Sequence, residues 1–149
     1  WQKNTYYDIT AQLAKAYYLS KKESIADGLC RDVLRKEPGH FLIRVVIAEQ
    51  FIRRRLTRKA LGMLVQKQYG EWENNAQFYN LKGCCYLRLE QLRLAEGAFQ
   101  DAISLSPHIA SYHYNLAAVY RAQRRYGKAQ REHQIAVDKE RYYLKDAVA

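Results

Sequence analysis

Chain breakers are scarce in this sequence. Its 149 residues include two prolines and seven glycines. So few leave no room for long structureless linkers, and 48% hydrophobic residues argue against disorder. No apolar run approaches the roughly 20 residues that span a bilayer. No charged-then-apolar leader opens the chain. The first residue is Trp1, not Met. The expectation is a trimmed chain whose compartment the sequence leaves open: cytoplasmic, or periplasmic and lipid-anchored if a leader was removed.

Cysteine is also sparse. Cys30, Cys84 and Cys85 form no metal-type CxxC spacing. Cys84 and Cys85 are adjacent and would point in different directions on a helix, so a disulfide between them would be strained. Three structural thiols and a reducing compartment are expected. Glycine loops of the phosphate or dinucleotide type are missing, as is a nucleophile elbow. No pair of carboxylates is placed for acid–base work. His40 and His108 fall between repeats, and His113 and His133 fall at packing positions. No carboxylate stands at a spacing that completes a metal site with them. The expectation is a protein with no catalytic residues, no metal and no cofactor.

What is present is periodicity. Small residues recur at Ala14, Ala48, Gly83 and Ala117, with spacings of 34, 35 and 34. A second small ladder is Ala26, Ala60, Ala95 and Ala129. A third ladder is aromatic: Tyr17, Phe51, Tyr86 and Tyr120. Three ladders in register indicate one unit copied four times, and a period near 34 residues points to stacked helical hairpins. Within the third copy, Tyr79, Gly83 and Tyr86 share one helical face, and Ala95, Phe99 and Ala102 share a second. Pro107 then stops the second helix. The short side chains let two helices approach closely, and the aromatic residues fill the gap one turn away.

These offsets resemble the tetratricopeptide repeat family over residues 7–143. The best-matching copy carries Tyr79, Gly83, Tyr86, Ala95, Phe99, Ala102 and Pro107. Departures are Lys82 where the family prefers Leu, Arg44 in place of a bulky early residue, and Trp72 and Arg141 at the final proline position. The expected fold is all-α: a right-handed superhelical solenoid of four helix-turn-helix hairpins in a single domain. The repeats are 7–40, 41–74, 76–109 and 110–143, with Asn75 an extra linker residue. Residues 144–149 would begin a capping helix, with Tyr142, Tyr143 and Leu144 packing on the last hairpin. An exposed last face would favour self-association, so monomer and dimer both stay open.

The resemblance implies a non-catalytic adaptor that binds a peptide or protein in a groove lined by the first helices. Mapped by position, that lining is Gln12, Lys15 and Tyr18, then Val45, Glu49 and Ile52. It continues with Asn80, Cys84 and Leu87, then Tyr114, Asn115, Ala118 and Arg121. An amide can donate to and accept from a peptide backbone, which singles out Asn80 and Asn115. Tyr18 and Tyr114 would be aromatic anchors. Ala11 and Lys15 stand where chaperone-tail receptors carry a clamp Lys and an Asn, which argues against that subclass. The narrower expectation is an accessory of bacterial pilus (Tad-type) or secretion assembly.

Charge adds a second surface. The formal net charge is +10 and the sequence pI is about 9.6. Positive residues gather where each first helix turns into the second. They are Lys21 and Lys22; Arg53, Arg54, Arg55, Arg58 and Lys59; Arg88 and Arg93; and Arg121, Arg124, Arg125 and Lys128. Such an edge would raise association rates with an acidic partner in a salt-sensitive way. Its alternative readings are an acidic protein, an anionic lipid surface or nucleic acid. Nucleic acid is the weakest of these, because no recognition motif is present and the tyrosines sit mostly at packing positions.

Overall fold

The computed structural model describes residues 2–65 and 74–148, with side chains described over 5–65 and 74–142. Trp72 and the side chains of Tyr143 and Leu144 lie outside these described residues. The described residues form eight α-helices and no strand. They are α1 (Gln2–Leu19), α2 (Glu23–Lys36), α3 (Phe41–Arg53), α4 (Thr57–Leu64), α5 (Ala76–Arg88), α6 (Leu92–Leu105), α7 (Ala110–Ala122) and α8 (Tyr126–Val148). They fall into two compact units, Trp1–Trp72 and Glu73–Ala149. In the first unit α1 packs on α2 and α3 on α4; in the second α5 packs on α6 and α7 on α8. The tail does not begin a separate cap. Its residues continue α8 to Val148, and Tyr142 on that helix is 65% exposed.

All four hairpins turn in the same way. Lys21, Arg55, Glu90 and Arg124 adopt left-handed φ of 59°, 60°, 58° and 60°. The next residue's N–H then reaches back across the helix end. Lys22 donates to the Tyr17 carbonyl at 2.9 Å, Leu56 to Phe51 at 2.8 Å, Gln91 to Tyr86 at 2.9 Å and Arg125 to Tyr120 at 2.8 Å. This is a helix stop usually built on glycine, which enters the left-handed region without a Cβ penalty. Its acceptors are the carbonyls of the aromatic ladder. The extra residue between the second and third copies also has a structural use. Asn75 caps α5, its side chain accepting from the Phe78 N–H at 2.9 Å.

The small ladders are the helix crossings. Ala14, Ala48, Ala26, Ala60 and Ala95 are fully buried. At Gly83 the approach is closer still: a Cβ there would lie 2.6 Å from Cε1 of Phe99. Phe99, sixteen residues on, is itself fully buried. The equivalent partners in the other copies are Cys30, Leu64 and His133. The first two are smaller than Phe, and His133 is exposed, so alanine fits opposite each.

Buried polar groups join the helices at a second point. Arg44 on α3 is buried, and its guanidinium donates to the carbonyls of Pro38 at 2.9 Å, Met63 at 3.0 Å and Gly62 at 3.4 Å. The last two carbonyls belong to the final turn of α4, the negative end of its dipole. His113 occupies the equivalent place on α7. It meets the Pro107 carbonyl at 3.1 Å and Glu132 on α8 at 2.8 Å. The residue that departs from the family pattern at Arg44 thus makes the same two links as His113, with a longer arm.

Gly83→Ala is expected to lower stability by about 1–3 kcal/mol through overpacking, although alanine is the better helix former by roughly 1 kcal/mol. Adding Phe99→Leu should recover part of the loss in urea unfolding. A midpoint unchanged or raised by Gly83→Ala alone would show that the crossing is slack. Arg44→Met should lower the melting temperature by leaving buried carbonyls unpaired, a loss of about 1–3 kcal/mol. The exposed Arg58→Met is the control and should stay within about 0.5 kcal/mol.

Candidate functional site

The first unit buries part of its expected groove. Gln12 is exposed, and Lys15 and Glu49 are half-buried. Tyr18 is only 7% exposed, and Val45 and Ile52 are buried as well. The expectation that Tyr18 anchors a ligand and that Val45 lines an open face is therefore corrected. The Tyr18 ring packs in the core with Ala14 and Cys30. Its hydroxyl donates to Asp27 on α2, so its polar tip is satisfied inside the protein. Val45 is apolar and gains more from burial than from facing water. Glu49 is engaged with Arg53 on its own helix at 3.4 Å.

The second unit keeps a polar face. Asn80, Cys84 and Leu87 on α5 are half-buried, as are Tyr114, Asn115 and Ala118 on α7, and Arg121 is exposed. Asn115 Nδ2 donates to Asn80 Oδ1 at 2.8 Å and lies 3.9 Å from the Cys84 sulfur. This amide pair bridges α5 and α7. It leaves Asn80 Nδ2 and Asn115 Oδ1 without a partner among the described residues. Tyr114 turns away from the pair. Its hydroxyl donates to Glu140 at 3.0 Å, and its ring meets His133 edge-on at 5.3 Å between centroids.

The basic turns are adjacent within each unit. In the first, Arg54 beside the second turn reaches Glu23 at 2.6 Å and Asp27 at 3.8 Å, both on α2 just after the first turn. In the second, Arg125 reaches Glu96 on α6 at 2.9 Å, joined by Gln123, and lies over the Tyr120 ring at 4.8 Å. Burial of Glu96 alone would raise its carboxyl pKa. Hydrogen bonds from Gln123 and Arg125 outweigh that and hold it below the usual carboxylate range. Arg53, Arg54 and Arg125 are thus internal ties and not free edge charges. Lys21, Lys22, Arg55, Arg58, Lys59, Arg93 and Arg124 stand exposed at the turns, with Arg88 exposed beside them. Lys128 lies over the Tyr120 ring at 5.6 Å. The acids that take up the tying arginines went unread in the sequence. Asp27 and Glu96 hold the same place in the first and third copies, and that repetition was the available signal.

Among the described residues no group of three His, Cys, Asp or Glu is arranged to hold a metal ion. His113 has an acceptor at each ring nitrogen, whereas His133 is exposed. Burial pushes the Cys30 thiol up to about 11 and Cys85 up to about 12, and raises Cys84 as well. A protonated thiol is a poor nucleophile. Iodoacetamide at pH 8 should label the folded protein slowly, speed up only as pH climbs towards 11, and label all three thiols rapidly in urea. Fast labelling at neutral pH would contradict the burial.

No family profile matches the chain, and no curated protein matches it in sequence. Solved structures do match. MamA from Desulfovibrio magneticus RS-1, residue 41 to its end, superposes with a TM-score of 0.75 at 22% identity, covering 91% of this chain and 76% of that one. A second MamA structure gives 0.74 at 17% identity, covering 93% and 75%. MamA of strain AMB-1 gives 0.72 at 18%, covering 91% and 79%. MamA is a tetratricopeptide-like helical repeat protein. At these identities the likeness establishes the fold, which is all-α and tetratricopeptide-like.

Proposed function

We propose that this protein is a non-catalytic adaptor that binds an extended segment of a protein partner on the first-helix face of its second unit. The observation that carries the reading is the Asn80–Asn115 pair, held by a 2.8 Å bond across α5 and α7. Each amide is fixed in place by the other. Each presents a remaining polar atom: a donor on Asn80 and an acceptor on Asn115. A peptide backbone offers one carbonyl and one N–H per residue, the complement of that pair. Leu87, half-buried about two turns further along α5 than Asn80, offers apolar contact for a side chain, and exposed Arg121 offers a cation near the end of α7. The repeat fold, shared with MamA, gives such a segment a rigid surface with little to reorder on binding.

The setting we propose is an accessory role in assembling a bacterial pilus or secretion complex. That narrower reading rests on the resemblance of the repeat array alone, and co-purification with assembly components tests it. The groove reading has its own test. Partner capture and titration should be run with wild type, Asn80→Ala and Asn115→Ala, with melting temperatures measured in parallel. Loss of one net hydrogen bond predicts affinity lower by about 2- to 10-fold per substitution, with a captured partner that survives moderate salt. Tyr114→Ala is a poor probe because it removes both ties to α8, the ring contact with His133 and the hydroxyl bond to Glu140; Tyr114→Phe keeps the ring contact and loses only the hydroxyl bond. Unchanged affinity in both asparagine variants would rule the face out.

A further inference from the structure

The turn end of the first unit combines two features that neither the fold nor the groove uses. One is uncompensated charge: Lys21 and Lys22 on the first turn, and Arg55, Arg58 and Lys59 on the second, are all exposed. The nearby acids Glu23 and Asp27 are already taken by Arg54, which also fixes the two turns side by side. The other is exposed aliphatic surface among those cations. Leu19 is 63% exposed, Ile25 49% and Leu56 40%. The two turns interleave these classes at equivalent positions. Leu19 matches Arg53, Lys22 matches Leu56, and Ile25 matches Lys59.

The backbone sets where two of these charges stand. Lys21 and Arg55 hold left-handed φ of 59° and 60°, where glycine is the unstrained choice. The chain places long cations there instead. Glu90 and Arg124 hold the same conformation at the turns of the second unit, so the strain belongs to the turn itself; in the first unit both turn positions carry exposed cations.

We propose that this end of the first unit docks on an anionic lipid bilayer, with Leu19, Ile25 and Leu56 entering the headgroup–acyl boundary and the surrounding cations meeting lipid phosphates and carboxylates. Charge complementarity selects the partner. A bilayer accepts dispersed cations and scattered aliphatics without a fixed register. A protein interface core is anchored by aromatic side chains, and single-stranded nucleic acid stacks its bases on them. The aromatics at this end, Tyr17, Tyr18 and Phe51, are half or fully buried.

The test is co-sedimentation with vesicles of phosphatidylcholine alone and with about one-third phosphatidylserine. The expected result is binding to the anionic vesicles only, weakening as salt rises. Each neutralised cation should lower partitioning about fivefold, so Lys21→Gly with Arg55→Gly should lose about 25-fold. Because glycine suits the left-handed turn, that variant should melt at or above the wild-type temperature, which separates lost binding from lost folding. Leu19→Ser with Leu56→Ser should weaken binding at every salt concentration. Asn80→Ala and Asn115→Ala should leave vesicle binding unchanged, so this test stands or falls apart from the groove reading. Three results would overturn the proposal: no binding to anionic vesicles, equal binding to neutral ones, or partitioning unaffected by the glycine pair.

Discussion

The structure depends on helix crossings lined by buried small residues. Ala14, Ala48 and Ala117 sit at these crossings on the first helices, and Ala26, Ala60, Ala95 and Ala129 on the second. Gly83 sets the limit, since even a methyl would press into Phe99. Interiors packed like organic crystals have no slack to absorb such a group. Once backbones meet this closely, the hairpin geometry is fixed. The aromatic ladder then has a set place one turn further on, and its carbonyls receive the turn's closing N–H groups. Packing and turn are therefore a single constraint in two parts.

A second set of contacts holds the hairpins of each unit together, and it is polar. Arg44 and His113 each link the loop before their helix to the helix that follows. Arg54 and Arg125 each reach from the turn of one hairpin to an acid on the hairpin before it. Buried or half-buried polar groups are costly when unpaired and directional when paired. They add specificity to apolar faces that would otherwise tolerate sliding. Within the first unit this accounts for Tyr18: its hydroxyl joins the Asp27–Arg54 group, so its ring goes inward with it.

The fold was legible because small and aromatic residues at crossings answer to a geometric rule that repeats every 34 or 35 residues. Gly83, Phe99 and Pro107 could be placed from spacing alone. The candidate site was less legible, because position on a helix says which way a side chain starts and not where it ends. Tyr18 and Tyr114 occupy places that face a groove, yet one hydroxyl finds Asp27 and the other Glu140. Arg44 broke the pattern by residue type while preserving it by function, since a guanidinium reaches the same carbonyl as an imidazole. Charge was misread in part for a related reason. A count of turn arginines does not separate those tied to Glu23, Asp27 and Glu96 from those facing water.

That separation gives the remaining charges their meaning. Arg44, Arg54 and Arg125 are accounted for by contacts that hold the fold, so their presence says little about partners. Lys21 and Arg55 make no such contact and sit in a backbone conformation where glycine would be less strained. Stability favours replacing them. Glu90 and Arg124 share that conformation, so the strain belongs to the turn; the charges gain their interest from standing among exposed Leu19, Ile25 and Leu56. Asn80 and Asn115 likewise keep outward polar atoms that their mutual bond does not use. Neither surface shares a residue with the helix crossings. Each can therefore change without disturbing the hairpins, which is the condition under which a repeat scaffold acquires partners.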